Sequence, residues 1–189
     1  MNIWKVIYAD YSRYRFTGGR NRIMILFFNI GFIFTVIYRL NNSLYFKSRK
    51  IPIINKLVSL HCMIWLKLSQ VISGLSIPIG TEIGKGILIG HVGPIIINNQ
   101  AIIGENCNLG PMVIIGYGRH KGEFGVPKIG NEVFIGSGAK IFGPITIGNN
   151  VAIGANSVVN FDVPDEAVVG GNPAKILNYK GSYDYVQVK

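Results

Sequence analysis

The sequence predicts an α+β protein: a helical N-terminal segment followed by a parallel β-helix of about four coils. Three observations carry that prediction. Isoleucine recurs at 129, 135, 141, 147 and 153, a strict period of six over five units. Glycine follows it in four of them (Gly130, Gly136, Gly148, Gly154), and Val133, Ala139, Ile145, Val151 and Ser157 hold the fourth place after it. Net charge and glycine content, finally, divide the chain sharply near Gly74.

No helix has a period of six, and no hairpin sheet needs one; hexapeptide β-helix repeats have it, each unit making one short strand and turn. Three units close a triangular coil with the isoleucines stacked inside. Small or β-branched residues at the fourth place also point in, where bulk does not fit. The glycines are expected at corners that strain a residue with a Cβ.

The beat starts at Ile77, Ile83 and Ile89, skips two residues, and resumes at Ile97, Ile103, Leu109 and Ile115. A larger interruption, residues 117–128, precedes Ile129. Extra residues in a solenoid leave at a corner, because the inner ladder tolerates no insertion. Both breaks are therefore candidate site features, and the first carries His91. After Val159 the beat fails. Residues 162–165 make a turn and 168–175 close the coil, since an open end exposes the ladder. The last residues, 178–189, form a polar, aromatic tail expected to be loosely held.

Residues 1–75 contain eleven Lys/Arg and one acid, Asp10, whereas residues 76–189 contain eight of each. All the net charge of +10 thus sits on the first segment. Apolar runs at 23–28, 32–40 and 53–71 read as helices, with Pro52 starting the last and Gly74 ending it. The run 23–38 is short for a bilayer span and basic on both sides. No small-residue cleavage site follows it, which argues against a signal peptide. Two readings suit this segment: a helical cap on itself or a partner subunit, or a basic, aromatic surface lying against anionic lipid. Nucleic acid is not expected, because no recognised binding motif accompanies the charge.

Cys62 and Cys107 make neither a disulfide framework nor a metal site. Cys107 falls at an inward-pointing fourth place. The three histidines, His61, His91 and His120, are too scattered for a ligand set, so no metal is expected.

The repeat, its breaks and the closing Gly171, Asn172, Pro173, Ala174 and Lys175 together resemble the serine acetyltransferase branch of the left-handed β-helix acyltransferases. The matching stretches are 83–86, 89–91, 135–141 and 153–159. The residues 10–14, 29–32 and 38–40 are similar to a subgroup met among capsule and O-antigen genes. This resemblance implies an acetyl-CoA-dependent enzyme, a homotrimer or a dimer of trimers, with the co-substrate between neighbouring β-helices. It makes His91 the general base on the acceptor hydroxyl. By family position Gly116, Ser137 and Ala155 approach the pantetheine arm, and Pro173 with Lys175 lies near the nucleotide phosphates. Asn99, a polar neighbour of His91, and Val126 fall where the acceptor binds; His120, in the excursion with Arg119 and Lys121, reads first as a solvated loop residue and second as a contact to substrate or a CoA phosphate.

This chain departs from that pattern in ways that bear on the acceptor. Serine acetyltransferases carry an Asp fifteen residues before the base; Ser76 stands there, as a weaker hydrogen-bonding orienter of His91. They carry another directly before the base, where Gly90 stands. Their His-Pro-Lys-Ile after the loop reads Val126, Pro127, Lys128 and Ile129 here. A free amino acid, doubly charged, needs counter-charges that a sugar hydroxyl does not. The sequence therefore favours O-acetylation of a sugar or lipid-linked saccharide in surface-polysaccharide synthesis, in the cytoplasm or at the inner face of a bacterial inner membrane. It ranks a serine O-acetyltransferase second and an inactive trimeric scaffold third. The expected division is 1–75 for the helical segment, 76–177 for the acetyltransferase unit and 178–189 for the tail.

Overall fold

The isoleucine ladder dictates the architecture. The computed structural model describes residues 2–16 and 22–187, and from Leu75 onward it winds into three parallel faces. The first stacks Leu75–Ser76, Ile95–Ile97, Ile114–Gly116, Lys140–Phe142 and Val158–Val159. The second stacks Glu82–Ile83, Ile102–Ile103, Lys128–Ile129 and Thr146–Ile147. The third stacks Leu88–Ile89, Asn108–Leu109, Phe134–Ile135, Ala152–Ile153 and Val168–Gly171, capped by the antiparallel strand Ala174–Asn178. Register places each ladder residue on the next: Ile83 on Ile103, Ile129 and Ile147; Ile97 on Ile115 and Ile141.

The inward phase is as the period requires. Ile135, Ile141, Ile147 and Ile153 are fully buried, and so are Val133, Ala139, Val151 and Ser157 at the fourth place. Cys107 shares that core, and burial pushes its thiol up to about 12, which removes it as a nucleophile near neutral pH. The corners differ from expectation. Left-handed backbone falls on Asn106, Glu132, Asn150, Asn156 and Glu166 rather than on the glycines after the isoleucines. Asparagine tolerates that region through local hydrogen bonding. Gly130 instead serves close approach: a Cβ there meets the Gly148 carbonyl oxygen at 2.6 Å.

Both breaks leave at corners. The first is the irregular stretch between Ile89 and Ile95. The second forms a hairpin, Gly118–His120 against Glu123–Gly125, with Tyr117 and Phe124 stacked 5.9 Å apart.

Four helices precede the coil: α1 (Ile3–Phe16), α2 (Arg22–Phe28), α3 (Ile30–Ser48) and α4 (Pro52–Ser73). The helical expectation for 17–21 lies outside the described residues, as do the last two residues of the tail. Asn29 caps α3 by accepting from the Phe32 amide at 3.0 Å. Pro52 opens α4, and Gly74 closes it with φ 73°. Among the described residues no helix is long and apolar enough to cross a membrane.

The helices seat on the first coil through buried polar contacts. Asp10 accepts from Arg39 Nε at 2.9 Å and from the Gly86 and Ile87 amides at 2.7 and 3.0 Å. Arg39 also donates to the Ile83 and Gly84 carbonyls, each at 2.6 Å. Burial pushes the Asp10 carboxyl above its ordinary value, against the pull of Arg39 and the two amides. The Tyr14 hydroxyl accepts from the Ile89 amide at 3.0 Å and pairs with Thr35 Oγ1 at 3.4 Å, while Tyr38 donates to the Thr81 carbonyl at 2.7 Å. Gly31 lets α3 approach closely, since a Cβ at that point collides with the Ile89 carbonyl oxygen.

The tail is not loose. Ser182 and Val186 are buried, Ser182 donates to the Glu132 carbonyl, and Tyr185 stacks on Phe134 with centroids 4.6 Å apart. Its aromatic residues find the outward side of the third face, which the six-residue period does not report.

Candidate active site

His91 stands exposed at the first break, directly after the third-face strand Leu88–Ile89. The strand is fixed from both sides: Ile89 lies in the ladder and its amide donates to Tyr14. The two-residue insertion then carries the imidazole out of the coil. There it borders a cavity of about 240 Å³, whose other walls include Gly90, Asn108, Pro111, Phe134 and Ser137. Apart from the imidazole, no lining side chain is ionisable.

The structure thus brings His91 and Ser137 together. A column of corners continues downward from them. The Gly138 amide donates to the Pro111 carbonyl at 2.8 Å, and the Asn156 amide to the Ser137 carbonyl at 2.9 Å. Ala155 is exposed one coil below Ser137, so the column presents small side chains beside accessible backbone. Such a surface suits an extended, narrow chain with amide groups.

Other expected residues lie elsewhere. Asn99 and Gly116 share a different cavity, of about 400 Å³, on the first face with Pro78 and Ile96. A Cβ on Gly116 meets the Phe142 ring at 2.9 Å, so packing explains that glycine. Ser76 accepts from Gln70 Nε2 at 2.8 Å, and among the described residues it makes no hydrogen bond to His91. The orienting contact expected between them is absent because Ser76 sits on the first face, facing α4, while His91 leaves from the third.

His120 is drawn to Asp162, Nε2 to Oδ2 at 3.7 Å, beside Lys121 at 3.5 Å from the same carboxylate. These contacts pin the hairpin to the coil below. Val126 is half-buried after the hairpin and lines neither cavity. Lys175 is exposed on the closing strand opposite Gly170, and Pro173 forms the turn before it. No group of three His, Cys, Asp or Glu side chains able to hold a metal occurs among the described residues.

Sequence reasoning missed Asn108 and Phe134. Asn108 Oδ1 accepts from Arg13 at 2.5 Å, and its Nδ2 donates to the Tyr185 carbonyl at 2.9 Å. Both residues hold the fifth place of their units, which points outward.

Comparison with known proteins agrees with this geometry. Residues 127–160 match the bacterial transferase hexapeptide family, and residues 100–117 match the hexapeptide repeat of succinyl-transferase. A serine acetyltransferase of Synechococcus elongatus is 34% identical over 182 residues, 95% of this chain and 70% of that protein. The chain belongs to the serine acetyltransferase family. The Helicobacter pylori serine acetyltransferase is 33% identical over 161 residues, 85% of this chain and 88% of its own. Among solved structures, a Brucella abortus serine acetyltransferase in complex with coenzyme A superposes with a TM-score of 0.80 at 26% identity, covering 94% of this chain and 68% of that one. The fold is accordingly the left-handed β-helix of that family, and the protein is an acyltransferase.

Proposed function

We propose that this chain transfers the acetyl group of acetyl-CoA to a hydroxyl, with His91 as general base, and that L-serine is the first acceptor to test. Acetyl-CoA is the co-substrate. The observation carrying the reading is the exposed imidazole at the head of the corner column, in a chain related to serine acetyltransferases along 95% of its length. An alcohol of pKa roughly 16 attacks poorly, and a neutral imidazole takes its proton as the new C–O bond forms. The thioester C–S bond then breaks and the imidazolium returns the proton to the leaving thiolate. Holding hydroxyl and thioester together removes much of the entropic barrier, so no covalent enzyme intermediate is needed. Pro111, Ser137 and Ala155 are the surface along which the pantetheine arm lies. Residues 76–177 carry the chemistry, in a homotrimer whose neighbours complete the groove.

A second reading, acetylation of a sugar hydroxyl, rests on a specific observation. Gly90, Ser76 and Val126 stand where the family has charged groups, and the wall around His91 carries none. A zwitterion gains no counter-charge from those side chains, whereas a sugar needs hydrogen bonds and apolar contact. Under this reading the basic helices of residues 1–75 meet the cytoplasmic face of an anionic membrane, where a lipid-linked saccharide is presented.

Thiol release from acetyl-CoA separates the two, with L-serine in one arm and membrane-extracted lipid-linked saccharide in the other. Turnover with serine at a KM of about 1 mM or below supports the first reading. Turnover with the saccharide alone transfers the assignment to the second. In either arm His91→Ala lowers kcat by about 10²–10⁴-fold with the melting temperature unchanged, because the ring is exposed. A variant retaining full turnover removes His91 from the chemistry.

A further inference from the structure

We propose that the C-terminal tail braces the walls of the acceptor pocket from outside and that Tyr185 is a positioning residue for it. This rests on the reading of His91 as the base. The outward side of the third face has two covers. At its upper end the side chain of Leu88 is buried among Tyr14, Ile25 and Phe32 of the helices. At its lower end Tyr185 lies over Phe134, nearly parallel, with an interplanar angle of 22°. Asn108 sits between them and is held by both, by Arg13 of α1 and by the Tyr185 carbonyl. The cavity beside His91 opens at this seam, and Asn108 and Phe134 are two of its walls.

Tyr185 does not line the cavity. It fixes the two side chains that do. An aromatic ring half-open on a solvent-facing strand has several rotamers, and stacking on a second ring selects one. An outward Asn likewise turns freely unless both ends of its amide are bonded, as they are here. The tail supplies one bond and the stack together, and it is itself tied down. Ser182 bonds the Glu132 carbonyl, Val186 is buried, and the Tyr183 hydroxyl donates to Glu166 Oε1 at 2.8 Å. The tail therefore sets the width of the pocket on the side away from the helices. It presents the acceptor with a flat apolar surface and a fixed amide.

The test compares wild-type protein, Tyr185→Ala and Tyr185→Phe, each full length, using whichever of the two acceptors wild type turns over. The phenyl ring keeps the stack, and the backbone carbonyl is present in all three. Tyr185→Ala raises the acceptor KM about three- to tenfold, with kcat and the affinity for coenzyme A within about twofold of wild type. Tyr185→Phe restores the wild-type KM. An unchanged KM in Tyr185→Ala overturns the proposal. So does a parallel loss of kcat and melting temperature that phenylalanine does not restore, since the tail then only stabilises the coil. If wild type turns over neither acceptor, the functional reading fails by itself, and the proposal is decided by the imidazole NMR signals. Tyr185→Ala must move the His91 signal, assigned by its loss in His91→Ala, and leave His61 in place; an unmoved His91 signal overturns it.

Discussion

The interior of the β-helix and its joint with the helices before it differ in how far polar contacts share the burial. In the coil, a column made mostly of isoleucine, valine and alanine is buried to the last few per cent. Where the helices meet the coil, apolar packing by Phe32, Phe34 and Tyr38 is joined by buried polar contacts: Asp10 with Arg39 and two amides, Tyr38 with Thr81, Tyr14 with Ile89. Apolar burial is non-directional and grows with area, so the coil tolerates exchange among its ladder residues. A buried charge pair is directional and fails as a unit when one member is lost. The coil supplies stability, and the polar seat fixes where the helices stand relative to the strand that carries His91.

The largest expected effect comes from breaking that seat. Asp10→Ala leaves the Arg39 guanidinium buried without its carboxylate and costs about 3–5 kcal/mol. For a chain of this size that lowers Tm by on the order of 10 °C. Hydrogen exchange shows where: amides of α1 and α3 lose protection while those of the ladder strands keep it. Equal loss in both regions contradicts the division. Ile141→Ala is the counterpart within the coil, removing a fully buried side chain between Ile115 and Val159 at about 2–5 kcal/mol. Its signature is reversed, with protection lost first on the first face and helical amides following.

Much of this was legible in the sequence, and the limits were physical. A period of six specifies which side chains point in, so Ile129 to Ile153, their fourth-place partners and Cys107 were placed correctly. Pro52 and Gly74 marked a helix because their backbone constraints act locally. Corner conformation was misjudged, since the glycines answered to the coil above or below rather than to their own φ. Ser76 was aligned to an orienting role by its distance along the chain from His91. One coil of a solenoid brings residues near in height but not onto the same face. Phe134, Asn108 and Tyr185 were missed because an outward place carries no periodic signal when its partner is a non-repeating tail. Asp10 and Arg39 were read as parts of a resemblance and of a charge balance; their pairing across 29 positions has no local mark.

A smaller effect belongs to the hairpin of the second break. Asp162 accepts from the Thr146 amide at 2.9 Å, which with Lys121 and His120 nearby holds its carboxyl below the usual range. A depressed folded pKa means its contribution is complete above the ordinary carboxylate value and is lost as pH falls through the lowered one. The pair is largely exposed, so the contribution is within about 1 kcal/mol. Amide exchange at 119–124, corrected for the intrinsic rate, is therefore flat from neutral pH to about 5 and rises only in stronger acid. Exchange that already rises between neutral pH and 5 contradicts pinning by the Asp162 carboxylate.

The smallest expected effect tests the other side of the helices. The helix α4 leaves Ile53, Leu57, Leu60, Ile64, Leu68, Val71 and Ile72 exposed along one face, while Val58, Cys62 and Ser69 turn inward. Among the described residues these outer side chains stand exposed, so replacing them changes the folded and unfolded states alike. Leu57→Glu with Ile64→Glu should keep Tm within the span of about 0.5 kcal/mol typical of surface substitutions, at any protein concentration. That contrasts with Ile141→Ala, one residue of similar size in the ladder. A loss that grows on dilution has a different origin: unfolding is then linked to dissociation, and the face is covered by another copy of the chain. In that case apolar burial in the helical half extends from its joint with the coil to a contact between subunits.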